Sequence, residues 1–284
     1  MQNFRVDKES TLLVYLTEAF KNRTQVKKWL KLQRVSVNGK PVVRHDHPLK
    51  TGDVIQVGPQ QKIFSSSHIS DLHIVYKDES ILLIEKPEGL LTIATETEKT
   101  RTAYYEVNEY LKKTPMPGRR RVFIVHRLDR ETSGLLLFAR TEEAKLKLQK
   151  GWEEVEKKYY AVVKNIPVKK TDTLESFLTE NKIHRVFSGP ETRNSKHAVT
   201  HYTVVKYNKR FALLEIRTDT GRKHQIRVQL ADIGHPLVGD ERYGGPPSPR
   251  LALHASYLRF KHPVTGQYME FKSALPEAFS LLVK

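Results

Sequence analysis

Apolar residues cluster in short runs along this chain, and one of them is Leu135 to Ala139, five consecutive apolar positions behind a Thr132-Ser133-Gly134 turn signal. A run of that length and composition predicts a buried strand. His73 to Tyr76 and Ile81 to Glu85 predict two more strands, separated by the polar turn Lys77 to Ser80. Lys86-Pro87-Glu88-Gly89 breaks the second of these, and Leu90 to Ala94 is expected to resume it. Further on, Leu213 to Ile216 predicts a strand, and Leu251 to Phe260 with Met269 to Lys272 predict a closing pair. Helical spacing places Tyr104, Val107 and Leu111 on one face of Thr102 to Lys113. Thr141 predicts the cap of another helix, with Ala144, Leu148 and Trp152 on its inner face. Residues 165 to 200 are polar and carry no clear period.

The first 60 residues pattern differently. Thr11 to Phe20 is apolar enough for a short helix, and Thr24 is expected to cap a second. There Val26, Trp29 and Leu30 face inward, and Lys27, Lys28, Lys31 and Arg34 point largely outward. Asn38-Gly39 between Val35-Ser-Val and Val42-Val43 is a strong two-residue hairpin signal. A turn at Gly52-Asp53 then enters Val54 to Val57. A stretch rich in Gln and Ser follows, so the chain divides into a small domain, 1–60, a linker, 61–72, and a large domain, 73–284.

Charge sharpens that division. The 284 residues carry a net charge of +17. Residues 1–60 alone hold 11 Lys and Arg against 5 Asp and Glu, a net +6 and about twice the density of net positive charge found in the rest. An excess of this size favours a polyanion as partner, a nucleic acid or an acidic membrane surface. No apolar stretch approaches the roughly 18 residues of a membrane span. The chain has no cysteine, which excludes disulfides, a thiol nucleophile and thiolate-bound metal, and suits a reducing cytoplasm. His197 and His201, four apart, lack a third ligand in a segment that looks like a strand, so no metal is expected there.

Candidate chemistry concentrates in three places. His126-Arg-Leu-Asp129-Arg-Glu-Thr-Ser-Gly134 sets one carboxylate between Arg127 and Arg130, ahead of the apolar run Leu135 to Ala139. Lys157-Lys-Tyr159-Tyr160 opens a strand, where two tyrosines taken alone would be cross-strand packing. Gly221-Arg222-Lys-His-Gln-Ile226-Arg227 leads, through Gly234 and Gly239-Asp240, to Tyr243-Gly244. In this order the three stretches resemble the motifs of the RluA family of pseudouridine synthases, and the resemblance covers about residues 73 to 275. Residues 23 to 57 resemble the S4 RNA-binding module. Two departures stand out: Ile93-Ala94 where the family often has His-Pro, and Gln229 where it usually has His.

The resemblance implies an α+β fold, a mixed but mainly antiparallel sheet with the cleft across its middle, preceded by a small S4-like domain. It implies an RNA pseudouridine synthase acting on large-subunit ribosomal RNA, with tRNA as the alternative substrate. A rival from another class is a non-catalytic RNA-binding or ribosome-assembly protein on the same scaffold. By the resemblance Asp129 is the catalytic carboxylate, Arg227 its cationic partner and Tyr159 the ring that packs on the target base. Ile226 lies against that base, Arg127 fills the space it vacates, and Arg222 joins the substrate-binding set. For Arg127 the competing role is a salt bridge to Glu131. Lys27, Lys28, Lys31 and Arg34 are the expected RNA contacts of the front domain. Isomerising uridine involves no net redox change, so no cofactor and no metal is expected. What the reaction needs is an ionised carboxylate beside the nucleoside, and a neighbouring arginine favours the anion. The expected protein is a monomer in the cytoplasm.

Overall fold

The computed structural model describes residues 2–31, 35–42, 44–57, 72–114, 121–181 and 184–284. The chain folds as two compact units, Met1–Ser67 and His68–Lys284. The linker expected at 61–72 lies, except for Leu72, outside the described residues.

The front unit comprises β1 (Gln2–Arg5), β2 (Ser10–Thr11), α1 (Leu12–Phe20), α2 (Arg23–Lys31), β3 (Val35–Val37), β4 (Lys40–Pro41), β5 (Pro48–Leu49) and β6 (Val54–Val57). Its sheet runs β1-β6-β3-β4, and the β3–β4 hairpin turns through Asn38 (φ 50°) and Gly39 (φ 76°), as Asn-Gly favours. Leu12, Leu16, Val26, Leu30 and Ile55 form the centre of its core. The cap of α2 is not Thr24 but Asn22, whose Oδ1 accepts the Gln25 N–H at 2.9 Å. Lys27 is exposed; the side chains of Lys28 and Lys31, and the whole of Arg34, lie outside the described residues.

The second unit holds β7 (His73–Lys77), β8 (Ile81–Lys86), α3 (Ala103–Lys113), β9 (Phe123–Ile124), β10 (Ser133–Ala139), α4 (Glu142–Lys150) and β11 (Glu156–Lys164). After these come β12 (Thr171–Glu180), β13 (Val186–Gly189), β14 (Lys196–Tyr207), β15 (Phe211–Thr218), α5 (Gln225–Asp232), β16 (Leu253–Lys261), β17 (Tyr268–Lys272) and α6 (Glu277–Leu282). Eleven strands join in the order β13-β12-β14-β15-β11-β16-β10-β8-β7, with β17 added to β16 and β9 to β10. Every pairing is antiparallel except β10 with β16, so the sheet is mixed but mainly antiparallel.

Every residue of β10 is buried because the strand is covered on both sides. Leu135, Leu137 and Ala139 pack with Ala144 and Leu148 of α4, while Leu136 and Phe138 pack with Ala103 and Val107 of α3. A strand covered on both faces reads as a continuous apolar run rather than an alternation. Thr102 and Thr141 cap α3 and α4, accepting the Tyr105 and Ala144 N–H groups at 3.0 and 3.1 Å. Two expectations fail locally, and one stretch without a clear period resolves into strands. Leu90 to Ala94 forms no strand, only a bridge from Leu91 to Thr102. Trp152 leaves the α4 helix for a 3₁₀ turn, Trp152–Glu154. Residues 165 to 200 contain β12, β13 and the start of β14, a polar antiparallel ribbon.

Candidate active site

Asp129 stands in the loop between β9 and β10, which several hydrogen bonds hold. Thr92, buried, accepts the Leu128 N–H at 3.0 Å and donates to the Leu128 carbonyl at 2.7 Å, clamping the residue before the aspartate. The Thr132 N–H closes a turn on the Asp129 carbonyl at 3.2 Å. Behind the loop, Lys86 is fully buried at the end of β8, and its Nζ donates to the Pro87, Leu90 and Arg130 carbonyls at 2.8, 2.8 and 3.2 Å. Burial lowers Lys86 to about 8, against the pull of Asp129, Glu131 and Glu88.

On the other side, the end of β15 and the start of α5 supply the third motif. Gln225 ties it down: its Oε1 accepts from Thr220 Oγ1 at 2.8 Å and from the Arg222 N–H at 3.0 Å. Its Nε2 donates to the Val199 carbonyl and to Thr200 Oγ1, both at 2.9 Å. Gln229, one turn further, donates to the Leu174 and Ala198 carbonyls and to Ser176 Oγ, joining α5 to β12 and β14.

Between these walls lies a cavity of about 170 Å³. Arg127, Asp129, Tyr159, Arg222, Ile226 and Arg227 all line it, so every site residue expected of the second unit meets there. The Asp129 side chain is 18% exposed, and its Oδ2 is 3.5 Å from Arg227 Nη1. Tyr159 enters from β11, paired with Ile216 and Ala255. Burial, reinforced by the charge of Asp129, pushes its phenol up to about 12, so it is neutral at physiological pH. Arg127 and Arg222 are exposed at the mouth, where Arg222 Nε donates to the His197 carbonyl at 3.0 Å.

Arg227 makes the expected approach to Asp129, and the bridge from Arg127 to Glu131 that competed for the role of Arg127 is not formed among the described residues. Arg227 is bound foremost to Asp240, with Nε and Nη2 donating to its two oxygens at 2.7 and 2.8 Å; Asp129 is the more distant partner. Burial opposes the Arg227 charge, yet the hydrogen bond and charge of Asp240, aided by Asp129 and Glu131, hold it above the ordinary arginine value. Glu131 pairs with Arg227 Nη1 at 3.4 Å rather than with Arg127, which has no ion pair among the described residues. Asp240, fully buried, and His224, with Nε2 at 3.7 Å from Asp129 Oδ2, are site residues that pattern alone does not single out. Both lie inside the third motif, but only the tertiary fold turns them to Arg227 and Asp129. Among the described residues no cluster of His, Cys, Asp and Glu is arranged to hold a metal; His197 and His201 pair instead with Glu175 and Asp219.

Residues 80–232 match the model of the RNA pseudouridylate synthase family. The chain belongs to that family. The Bacillus subtilis (strain 168) protein named Uncharacterized RNA pseudouridine synthase YlyB is 35% identical over 280 residues, covering 94% of this chain and 90% of that protein. Ribosomal large subunit pseudouridine synthase D of Escherichia coli (strain K12) is 32% identical over 283 residues, covering 93% and 86%. The structure of Human RNA Pseudouridylate Synthase Domain Containing 4 shares the fold, with a TM-score of 0.59 at 23% identity over 73% of this chain and 90% of that one. The protein is therefore an RNA pseudouridine synthase, an isomerase acting on RNA. Among the described residues no helix is long and apolar enough to cross a membrane.

Proposed function

We propose that this pseudouridine synthase modifies uridines in large-subunit ribosomal RNA and that Asp129 is its catalytic carboxylate. The observation that carries the reading is the Asp129 carboxylate itself, part-exposed in a cavity that Tyr159 and Ile226 also line, with the Arg227 cation 3.5 Å away. The isomerisation breaks the N1–C1′ bond, joins C5 to C1′ and moves one proton from C5 to N1. No electrons are exchanged, so a held carboxylate and a base-shaped slot meet its demands. A uridine stacked in RNA must first flip out, at a cost of a few kcal/mol. Stacking on Tyr159 returns about 1–3 kcal/mol of this. Arg127, exposed and without an ion partner among the described residues, suits the space the base leaves. Ribosomal RNA is favoured because relatives covering most of the chain carry the large ribosomal subunit in their names. Residues 1–60, S4-like and dense in positive charge, suit a phosphate-gripping role, with Lys27, Lys28, Lys31 and Arg34 as its contacts.

The test is to map pseudouridines in ribosomal and transfer RNA from cells with and without this protein, then repeat the reaction with purified wild type and Asp129→Asn. Sites that vanish from large-subunit RNA and return with wild type are expected. The Asn variant should be slower by roughly a thousandfold or more while still binding RNA. Turnover by that variant near the wild-type rate would remove Asp129 from the chemistry, and sites confined to tRNA would overturn the substrate.

A further inference from the structure

Beside Arg227, His224 approaches the Asp129 carboxylate, and the proposed reaction leaves this histidine without a role. It occupies the N-cap of α5 in a left-handed conformation, φ 53°, and is 9% exposed. Its ring has two polar neighbours. Nδ1 is 2.8 Å from the Tyr243 hydroxyl, and Nε2 is 3.7 Å from Asp129 Oδ2. Arg227 also makes its nearest approach to Oδ2.

Protonation states follow from the surroundings. Burial lowers His224, and Arg227, Arg242 and Lys223 add to that effect, outweighing the opposite pull of Asp129. The imidazole is thus neutral at physiological pH and carries a single N–H. Burial raises Tyr243, so its hydroxyl keeps its proton. Were the ring proton on Nδ1, the Nε2 lone pair would face a carboxylate oxygen. With the proton on Nε2, the phenol donates to Nδ1 and an N–H faces Asp129. The second arrangement satisfies both neighbours, and the hydrogen bond made by one ring nitrogen sets the proton on the other.

Taking Asp129 as the catalytic carboxylate, we propose that Tyr243 holds His224 as its Nε2–H tautomer and that His224 is a positioning residue that, with Arg227, engages Oδ2. Oδ1, which has no hydrogen-bond partner among the described residues, is then the oxygen presented to the nucleoside. A separation of 3.7 Å closes to a hydrogen bond with a small turn of the carboxylate, the tightening that apo sites commonly undergo on binding substrate.

Nitrogen-15 spectra of histidine-labelled protein test this in the full-length enzyme without any RNA. The His224 signals, assigned by their loss in His224→Gln, should show a protonated Nε2 and a bare Nδ1, and Tyr243→Phe should shift them toward a mixture of tautomers. Because that readout needs no activity, it stands or falls apart from the reading of Asp129. The kinetic arm uses single turnovers beside RNA affinity. His224→Leu should slow the chemical step by roughly tenfold to a hundredfold, the worth of a hydrogen bond to a charged group. Its RNA dissociation constant should stay within about threefold. His224→Gln, whose amide N–H reaches the position of Nε2, should recover most of the lost rate. A wild-type spectrum with Nδ1 protonated overturns the proposal, and so does a Gln variant as slow as the Leu variant.

Discussion

Arg227 carries two loads at once, and a single substitution confounds them. Its guanidinium is bidentate to Asp240, a carboxylate with no exposure, and reaches Asp129 with the remaining nitrogen. Removing one partner of a buried pair leaves the other charged and desolvated, which costs about 3–5 kcal/mol. Arg227→Met should therefore lose both stability and activity. Replacing the pair by apolar groups of similar volume relieves the stranded charge. Arg227→Met combined with Asp240→Leu should then recover most of the stability while pseudouridine formation stays lost. Urea unfolding and single-turnover rates on the three variants check this. If the double variant regained activity along with stability, Arg227 would be a structural strut and nothing more. Sequence reading reaches Arg227 and Asp129 because motif spacing marks them. It does not reach the Asp240 pairing, since nothing in a linear pattern says which of several acids folds back onto an arginine.

The site depends at the next scale on the junction of β10 and β16, the one parallel contact in the large sheet. Here Gly134 sits at φ 113°, and a Cβ on it would collide with the Ala255 carbonyl oxygen. Both the backbone conformation and the close approach demand glycine. Gly134→Ala should cost about 2–4 kcal/mol, since the strand must shift against its neighbour. That corresponds to a fall of ~5–15 °C in Tm for a unit of this size. Activity should fall with it, because Asp129 closely precedes this junction in the chain. A variant melting at the wild-type temperature would show that the seam yields without strain. Of the strands around this junction, β8 and β10 were legible because each carries an unbroken apolar run, Ile81 to Ile84 and Leu135 to Ala139. Apart from the strand-like segment at His197 and His201, the ribbon β12 to β14 was not, because its outward positions are filled by cross-strand polar pairs such as His197 with Glu175 and His201 with Thr173 and Asp219. Local competition defeated two other expectations. Lys21, left-handed at the end of α1, lets Asn22 start α2 before Thr24 can. Gly89, at φ 78°, turns the chain so that Thr92 meets Leu128 instead of extending β8.

For the whole molecule, the two units have separate cores. The front core is drawn from Val6 to Val57, and every other core cluster from Leu72 onward. A chain beginning at His68 should therefore fold and keep Asp129, Tyr159 and Arg227 together. It would shed the denser part of the positive charge, because the first 60 residues hold 11 Lys and Arg against 5 Asp and Glu. If the front unit grips RNA, the shortened chain loses phosphate contacts, and each one neutralised contributes about 0.7–0.9 to the log–log slope of affinity against salt. Loss of about two to four contacts, a modest share of that charge, would flatten the slope by roughly 2–3. Affinity near physiological salt would then fall by about tenfold to a thousandfold. Turnover at saturating RNA should change far less, since binding made equally in ground and transition states raises affinity without raising kcat. Titrations of both chains on one ribosomal RNA fragment at several salt concentrations decide the matter. Matching slopes with matching affinities would mean that the front unit does not touch RNA, and its charge would need another partner. A shallower slope with preserved kcat would assign grip to the first unit and chemistry to the second.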